Sequence, residues 1–197
     1  MAGELLLAAL RHVWATLSSL NVKMALMGGI AVAAWRHFRN TRDVDVLVGI
    51  DPAGEDELLR KLITAGLTPL QNPPVLRIGE SRIISLSYEP PRRFLSIRVD
   101  LFLADSEFHQ NALSRRVSAT LPGMDEPVSI LSCEDLILFK LLAGRILDRA
   151  DCAYLLRANA QKLDVPCLAD WAQRLQVVPE LREVWREAYG PQSPPPV

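Results

Sequence analysis

The first half of the chain changes repeatedly between helical and strand-like spacing of its hydrophobic residues. Leucine and valine recur at helical spacing near the N-terminus, which predicts an amphipathic helix. Further along, valine alternates with polar residues, which predicts a half-buried strand. In chain order, the predicted elements of this half are a helix over 4–20, a strand over Lys23–Met27, a helix over Ile30–Phe38, a strand over Asp43–Ile50 and a helix over Glu55–Ala65.

The middle of the chain favours strands. A hairpin closed by Gly79-Glu80 is expected between the first two of them. The predicted elements here are strands over 75–78, 82–88, 95–103 and 117–121 and a short helix over 105–113.

The pattern becomes helical from Ser132 to the end of the chain. Ser132 to Asp135 has the form of a capping box, which marks a helix start. Helices are predicted over about 133–145, 148–161, 167–175 and 179–188. The predicted fold class is therefore α/β (α+β), a mixed sheet flanked by helices, with a C-terminal helical segment at 128–189 and a flexible proline-rich tail at 190–197.

The composition is that of a folded domain without a strong overall charge. The 197 residues include 49% hydrophobic and 23% charged side chains, and the formal net charge is −1. This balance excludes a strongly basic nucleic-acid coat and an acidic solvating tail. Aromatic residues make up 6%, which disfavours a base-stacking platform for single-stranded nucleic acid.

Targeting and redox signals predict a cytoplasmic protein with no membrane association. The longest apolar run, Met24–Trp35, is shorter than the roughly 18 residues of a membrane helix. The N-terminus lacks the basic start and the cleavage site of a signal peptide. Cys133, Cys152 and Cys167 are odd in number and widely spaced, so buried, unreactive thiols are expected rather than disulfides or a zinc site.

Three aspartates in predicted strands are the candidate catalytic residues. Asp43 and Asp45 are two positions apart, so their side chains lie on one face of the strand. Neighbouring carboxylates repel each other unless a cation lies between them, and Mg²⁺ binds through one or two carboxylates together with substrate phosphates. Asp100 interrupts another apolar strand, where an unused acid is costly. If the two strands are neighbours, three carboxylates converge and can activate a hydroxyl for attack on an α-phosphate.

Each of these signals has a structural alternative. Gly28-Gly29 can let phosphates approach the backbone, but a glycine pair is more often only a turn. Two aspartates can lie on a solvated strand edge, and Asp100 can pair with Arg98 or another basic residue. The order of the three signals, on elements of the expected type, favours the catalytic interpretation.

Two groups of motifs together carry a family resemblance. The first group is Gly28-Gly29, the segment RNTRDVDVLV at 39–48 and Val99-Asp100. It resembles the nucleotidyltransferase superfamily with the DNA polymerase β-like fold, and its R-x-T-x-D-h-D form is similar to AbiEii-type and related minimal bacterial nucleotidyltransferases. The second group, which resembles the helical segment of those proteins, is Glu134-Asp135-Leu136, Lys140, Ala143, Arg145 and Asp148–Asp151.

The resemblance implies a nucleotidyltransferase core over 1–127 and a role for each matching residue. Gly28 and Gly29 would contact the triphosphate of an NTP, and Arg42 and Lys140 would help to bind the nucleotide. The Mg²⁺ (or Mn²⁺) ligands would be Asp43, Asp45 and Asp100, and the last would also serve as, or orient, the base.

Arg39 would orient the aspartate strand or meet the nucleotide or acceptor. Lys140 can instead face solvent, and Asp148 and Asp151 can pair with Arg145 or Arg149 as surface charges.

The resemblance also implies a reaction and its partners. An NMP would pass from the NTP to a hydroxyl of tRNA or of a protein, in a toxin–antitoxin or defence system with a cognate partner. Two other functions stay open. A nucleotide-binding antitoxin or regulatory module would show an exposed apolar face on its C-terminal helices. A transferase acting on a small molecule such as an aminoglycoside would need an acidic acceptor cleft, for which Glu55, Asp56 and Glu57 supply acid on a helix surface.

Overall fold

The computed structural model describes residues 2–37, 40–79, 81–91 and 94–197. The predicted helix end at Phe38, the motif residue Arg39 and the hairpin residue Glu80 lie outside the described residues. The helices are α1 (Ala2–Ser19), α2 (Gly28–Ala34), α3 (Glu55–Thr64), α4 (Glu107–Ser114), α5 (Cys133–Ala143), α6 (Ile146–Asn159), α7 (Val165–Arg174) and α8 (Val178–Tyr189). The strands are β1 (Lys23–Leu26), β2 (Asp43–Gly49), β3 (Leu67–Pro69), β4 (Val75–Ile78), β5 (Ser81–Tyr88), β6 (Ile97–Leu103), β7 (Val117–Ala119) and β8 (Val128–Ile130).

All eight of these strands belong to one sheet. Their order is β3-β5-β6-β2-β1-β8-β7, and β4 also pairs with β5. The sheet is mixed, because β2 runs parallel to β6 and antiparallel to β1. The predicted α/β class with a mixed sheet is therefore confirmed.

One face of the central strands forms the core of the sheet. Every second residue of β2, from Val44 to Val48, is fully buried, and its partners in β6, from Val99 to Leu103, are buried in the same way. Helix α1 packs against β2 and β6, and its His12 ring stacks on Tyr88 of β5. Because side chains alternate along a strand, the other face carries the polar residues at the start of β2 and β6, followed by the pair Leu47 and Phe102.

The chain divides into two compact units. The first comprises residues 1–30 and 40–130 and contains the whole sheet, and the second comprises residues 31–39 and 131–197. The sheet includes β8, so it extends slightly past the predicted segment boundary after residue 127. The predicted boundaries and the flexibility of the tail stay predictions, although the carbonyl of Val197 accepts a hydrogen bond from Arg182.

Hydrogen bonds at helix ends fix the second unit. Ser132 caps α5 as predicted, because its Oγ accepts a bond from the amide of Asp135 at 3.1 Å. Gly144 ends α5 in the left-handed region with a φ of 66°. Trp35 donates to the carbonyl of Leu131, and Asn159 donates to the carbonyl of Trp35, so the 31–37 segment is bound to the C-terminal helices.

Two of the cysteines fit the prediction of inert thiols. Cys133 and Cys152 are buried, whereas Cys167 is half-buried, and none of the three is in a disulfide. Burial raises the pKa of the Cys152 thiol to about 12, so the thiol stays protonated at neutral pH. Among the described residues, no helix has both the length and the apolar character needed to span a membrane.

Candidate active site

The glycine pair lies directly beside the aspartate strand. The amide of Met27 donates to the carbonyl of Asp45 at 3.0 Å, which brings the end of β1 against β2. Gly28 follows with a φ of 59°, and a Cβ added there would lie 1.8 Å from Asp45 Oδ2. Glycine is therefore required at position 28 for two reasons: the backbone is left-handed, and the Asp45 carboxylate approaches closely.

Gly29 makes a comparable approach to a different side chain. A Cβ added at Gly29 would lie 2.5 Å from Thr41 Oγ1. That hydroxyl donates a hydrogen bond to Asp43 Oδ1 at 2.7 Å. Gly28 thus lies against Asp45, and Gly29 lies against Thr41, the residue that bonds to Asp43.

Polar side chains share one face of three neighbouring strands, as the strand register shows. Asp45 of β2 is paired with Asp100 of β6, which in turn is paired with Ser85 of β5. One step toward the strand ends, Asp43 is paired with Arg98. We call this set the polar face; its members, in two rows, are Asp45, Asp100 and Ser85, and then Asp43, Arg98 and Ser87. The condition stated from the sequence, that the Asp100 strand lies beside the aspartate strand, is therefore met.

Asp100 is held by two neighbours on the polar face. Ser85 Oγ donates to Asp100 Oδ1 at 2.6 Å. Arg98 Nε lies 3.0 Å from Oδ1 and 2.8 Å from Oδ2 of the same carboxylate. The pairing with Arg98 that the sequence left open is therefore present, and it compensates a carboxylate that is only 8% exposed.

The carboxylates suit a cation that is shared with a substrate. Among the described residues, no group of three or more His, Cys, Asp or Glu side chains could hold a metal ion by itself. Mg²⁺, however, is commonly bound by one or two carboxylates together with substrate phosphates and water, not by an all-protein cage. The register pair Asp45 and Asp100, with Asp43 on the same face, offers the oxygen donors which that mode requires.

Arg42 is exposed immediately before β2. Arg98 is also exposed, since its side chain is 57% exposed although it bonds to Asp100. Arg98 puts positive charge beside the Asp100 carboxylate, and Arg42 adjoins Asp43 along the chain.

Lys140 lies in the second unit, where it is buried between two carboxylates. Its Nζ lies 2.9 Å from Asp148 Oδ1 and 2.7 Å from Asp151 Oδ2. The expectation that Lys140 faces solvent is therefore wrong. Asp148 also accepts a bond from Arg145, and Asp151 Oδ1 lies 3.1 Å from His37 Nε2. We call these residues the lysine cluster; its members are Lys140, Asp148, Asp151, His37 and Arg145.

The lysine cluster confirms one expectation and corrects another. Asp148 pairs with Arg145 as the sequence allowed, with Arg145 Nε 2.6 Å from Asp148 Oδ2. Asp148 and Asp151 are not surface charges, because both are buried, and Arg149 pairs with Glu183. Burial acts to raise the pKa of Asp148, but hydrogen bonds from Arg145 and Lys140 outweigh it, so the pKa lies below its usual range. The surface interpretation failed because Gly144 turns the chain and brings α6 back against α5.

Known structures share this arrangement of strands and helices. An antigenic nucleotidyltransferase-like protein from Paracoccidioides brasiliensis is 21% identical and matches with a TM-score of 0.53 over 92% of each chain. The antibiotic-resistance factor ANT(2'')-Ia is 16% identical, with a TM-score of 0.59 over 91% of this chain and 97% of its own. The Helicobacter pylori protein JHP933 is 16% identical, with a TM-score of 0.50 over 91% of this chain and 75% of its own. The chain has a nucleotidyltransferase-like fold.

Comparison of the sequence with known proteins does not identify a subgroup within this fold. Neither protein-family models nor curated protein sequences give a match. The AbiEii-type subgroup therefore stays a prediction, as do the roles of the individual site residues.

Sequence reasoning gave no role to three residues of the site. Thr41 was included only as one position of the R-x-T-x-D-h-D motif. Ser85 and Ser87 were included only as residues of the predicted strand 82–88. A signal for the serines was available, because they alternate with hydrophobic residues over 83–88, as Arg98 and Asp100 do in the next strand. Polar residues with a period of two in neighbouring strands therefore predict a shared polar face.

Proposed function

We propose that the chain is a nucleotidyltransferase that depends on a divalent metal and transfers an NMP from an NTP to a hydroxyl of tRNA or of a protein. The proposal depends above all on the pairing of Asp45 with Asp100 on the polar face of this fold. Asp43 on the same face and the glycine pair beside the strand support it.

The reaction needs charge neutralisation and a base. The acceptor oxygen forms a bond to the α-phosphorus, the bond to the pyrophosphate oxygen breaks, and the acceptor loses its proton. Asp43, Asp45 and Asp100 would hold Mg²⁺ or Mn²⁺, which polarises the α-phosphoryl group when bound. Asp100 would accept or orient the proton, because Ser85 fixes its Oδ1 by a hydrogen bond of 2.6 Å.

Gly28, Gly29, Arg42 and Lys140 are proposed to bind the nucleotide. Arg42 is exposed, so it can bind an anion without breaking any of the hydrogen bonds or ion pairs described for the site. Lys140 is different, because its ammonium already bonds to Asp148 and Asp151. To bind a phosphate, Lys140 would have to exchange one of these carboxylates for it.

The charges around the polar face favour an anionic acceptor over a cationic aminoglycoside. The exposed Arg98 lies beside Asp100, Arg42 precedes Asp43 along the chain, and phosphate contacts supply most of the affinity for nucleic acid. The acidic residues Glu55 to Glu57 begin α3, beyond the far end of β2. Asp43 and Gly49 are the two ends of that strand, which spans about 20 Å at the usual rise per residue. An acidic acceptor cleft built from these residues is therefore not proposed.

Label transfer tests the proposal. Purified protein is incubated with Mg²⁺ and each α-³²P-labelled NTP in turn, with total tRNA or a cell lysate as the acceptor. Label on an RNA or protein band, lost in Asp43→Ala and in Asp45→Ala, is the expected result. Asp51→Ala is the matched control, because Asp51 is exposed beyond the other end of β2 and makes no side-chain cap bond.

A second candidate is a nucleotide-binding antitoxin or regulatory module without turnover. The observation that favours it is a group of exposed apolar side chains around the α5–α6 turn, where Leu142, Ile146 and Leu147 are 46%, 91% and 55% exposed. Metal-dependent NTP binding without label on any acceptor would favour this candidate over the transferase.

A further inference from the structure

Thr41 carries a hydroxyl that contacts the first residue of the aspartate pair. Its Oγ1 donates to Asp43 Oδ1 at 2.7 Å, and both side chains are half-buried. The bond joins the segment before β2 to the first residue of the strand. It therefore acts at the point where the polar face begins.

The conformation of an aspartate explains why such a bond matters. Rotation of a carboxylate about χ2 is soft, with a broad two-fold preference. A donor on one oxygen selects one orientation and leaves the other oxygen and the remaining lone pairs for a further ligand. Thr41 thus restricts Asp43 without consuming its capacity to bind.

Gly29 provides the space that Thr41 occupies. A Cβ at position 29 would lie 2.5 Å from Thr41 Oγ1 and 2.6 Å from its Cβ, below the 3.0 Å that real Cβ contacts respect. The backbone does not demand glycine there, because Gly29 is not among the residues with positive φ, whereas Gly28 is. The absence of a side chain at position 29 is therefore explained by Thr41.

We propose that Thr41 is the positioning residue of Asp43, and that Gly29 contributes to the site by leaving room for Thr41. The inference rests on the proposed function, in which Asp43 is a ligand of the divalent metal. It gives Gly29 a role that needs no direct contact with the triphosphate.

The affinity for Mn²⁺ distinguishes a role of the Thr41 hydroxyl from a role of the shape of its side chain. Thr41→Val keeps the shape of the side chain and removes the donor, so Mn²⁺ affinity should fall by about 10- to 100-fold, as for other partners that orient metal ligands. Thr41→Ser restores the donor and should recover most of the affinity. Thr64→Val is the matched control, because the Thr64 hydroxyl bonds only to the carbonyl of Arg60 on the surface of α3.

A second pair of variants tests Gly29. Gly29→Ala should weaken Mn²⁺ binding, because the new Cβ displaces Thr41 from Asp43. In a Thr41→Gly background, where both colliding atoms are gone, Gly29→Ala should cause no further loss. An equal loss in both backgrounds would show that Gly29 acts independently of Thr41 and would overturn that part of the inference.

Crystal structures of the wild type and Thr41→Val make the result independent of catalysis. A changed Asp43 carboxylate orientation in the variant is expected. An unchanged orientation, or Mn²⁺ affinity equal to that of the wild type, overturns the positioning role. If the wild type binds no Mn²⁺ and transfers no label, the proposed function fails, and the carboxylate orientation alone then decides the role of Thr41.

Discussion

Replacement of Gly28 by alanine should remove activity far more than it removes stability. The left-handed φ of 59° costs an alanine roughly 1–2 kcal/mol. The added Cβ would also lie 1.8 Å from Asp45 Oδ2, so the carboxylate must move by at least the difference from 3.0 Å, which is 1.2 Å. A misplacement of about 1 Å in a catalytic constellation costs on the order of 100-fold in rate.

Gly79 offers a control with nearly the same backbone. Its φ is 58°, and an added Cβ would meet nothing within 4 Å. Gly79→Ala therefore has the cost of the left-handed conformation but no collision. Thermal unfolding should show a similar decrease in stability for both variants, while label transfer and Mn²⁺ binding are reduced only in Gly28→Ala. Equal activity in the two variants would refute the idea that Gly28 exists to admit Asp45.

Three further predictions concern charged partners. Arg98→Gln should bind Mn²⁺ more tightly than the wild type in a direct titration, because a cation that competes for Asp100 is gone; weaker binding would mean that Arg98 supports the site. Lys140→Met should destabilise the second unit by about 3–5 kcal/mol in denaturant unfolding, since it leaves Asp148 and Asp151 buried without their shared cation. The pKa of Asp148 is lowered in the folded state, so its contribution is present at neutral pH and is lost as the pH falls through the folded pKa. The stability difference between Asp148→Asn and the wild type should therefore shrink on acidification below about pH 4, and a constant difference would contradict the shift.

The strands of the site were predictable because their side chains alternate. Valines and aspartates with a period of two predict both β2 and the shared face of Asp43 and Asp45. The position of Asp100 beside them was predictable only as a condition, since the pattern of one strand does not identify its neighbour. The register that pairs Asp45 with Asp100 is set by long-range pairing in the sheet.

Short elements and close approaches between residues could not be predicted from the sequence. β3 and β8, which were not predicted, are three residues long, and β7, of the same length, was predicted only within a longer strand over 117–121. Helix α2 begins at Gly28 itself, two residues before the predicted start, because a glycine pair normally weakens a helix prediction. The contact between Gly28 and Asp45 depends on the pairing of β1 with β2, which no local pattern encodes.

The lysine cluster shows a different limit. The sequence left Lys140 as a nucleotide ligand or a solvent-facing residue, and it left Asp148 and Asp151 as possible surface charges. In the structure, Gly144 interrupts the helix, and the aspartates reach Lys140 from the next helix across a turn. The pairing of Lys140 with these aspartates was not predicted, because helical spacing does not show contacts that form across a turn.

The position of β2 inside the sheet decides where ligand binding will be visible in amide hydrogen exchange. This strand is hydrogen-bonded to β6 on one side and to β1 on the other. Its amides should therefore exchange slowly before any ligand binds, and added nucleotide can slow them little further. The sensitive reporter is the segment 40–42, which lies outside the sheet and leads directly into Asp43. Protection gained there on addition of Mg²⁺ and NTP would map the site, although the aspartate strand itself shows no change.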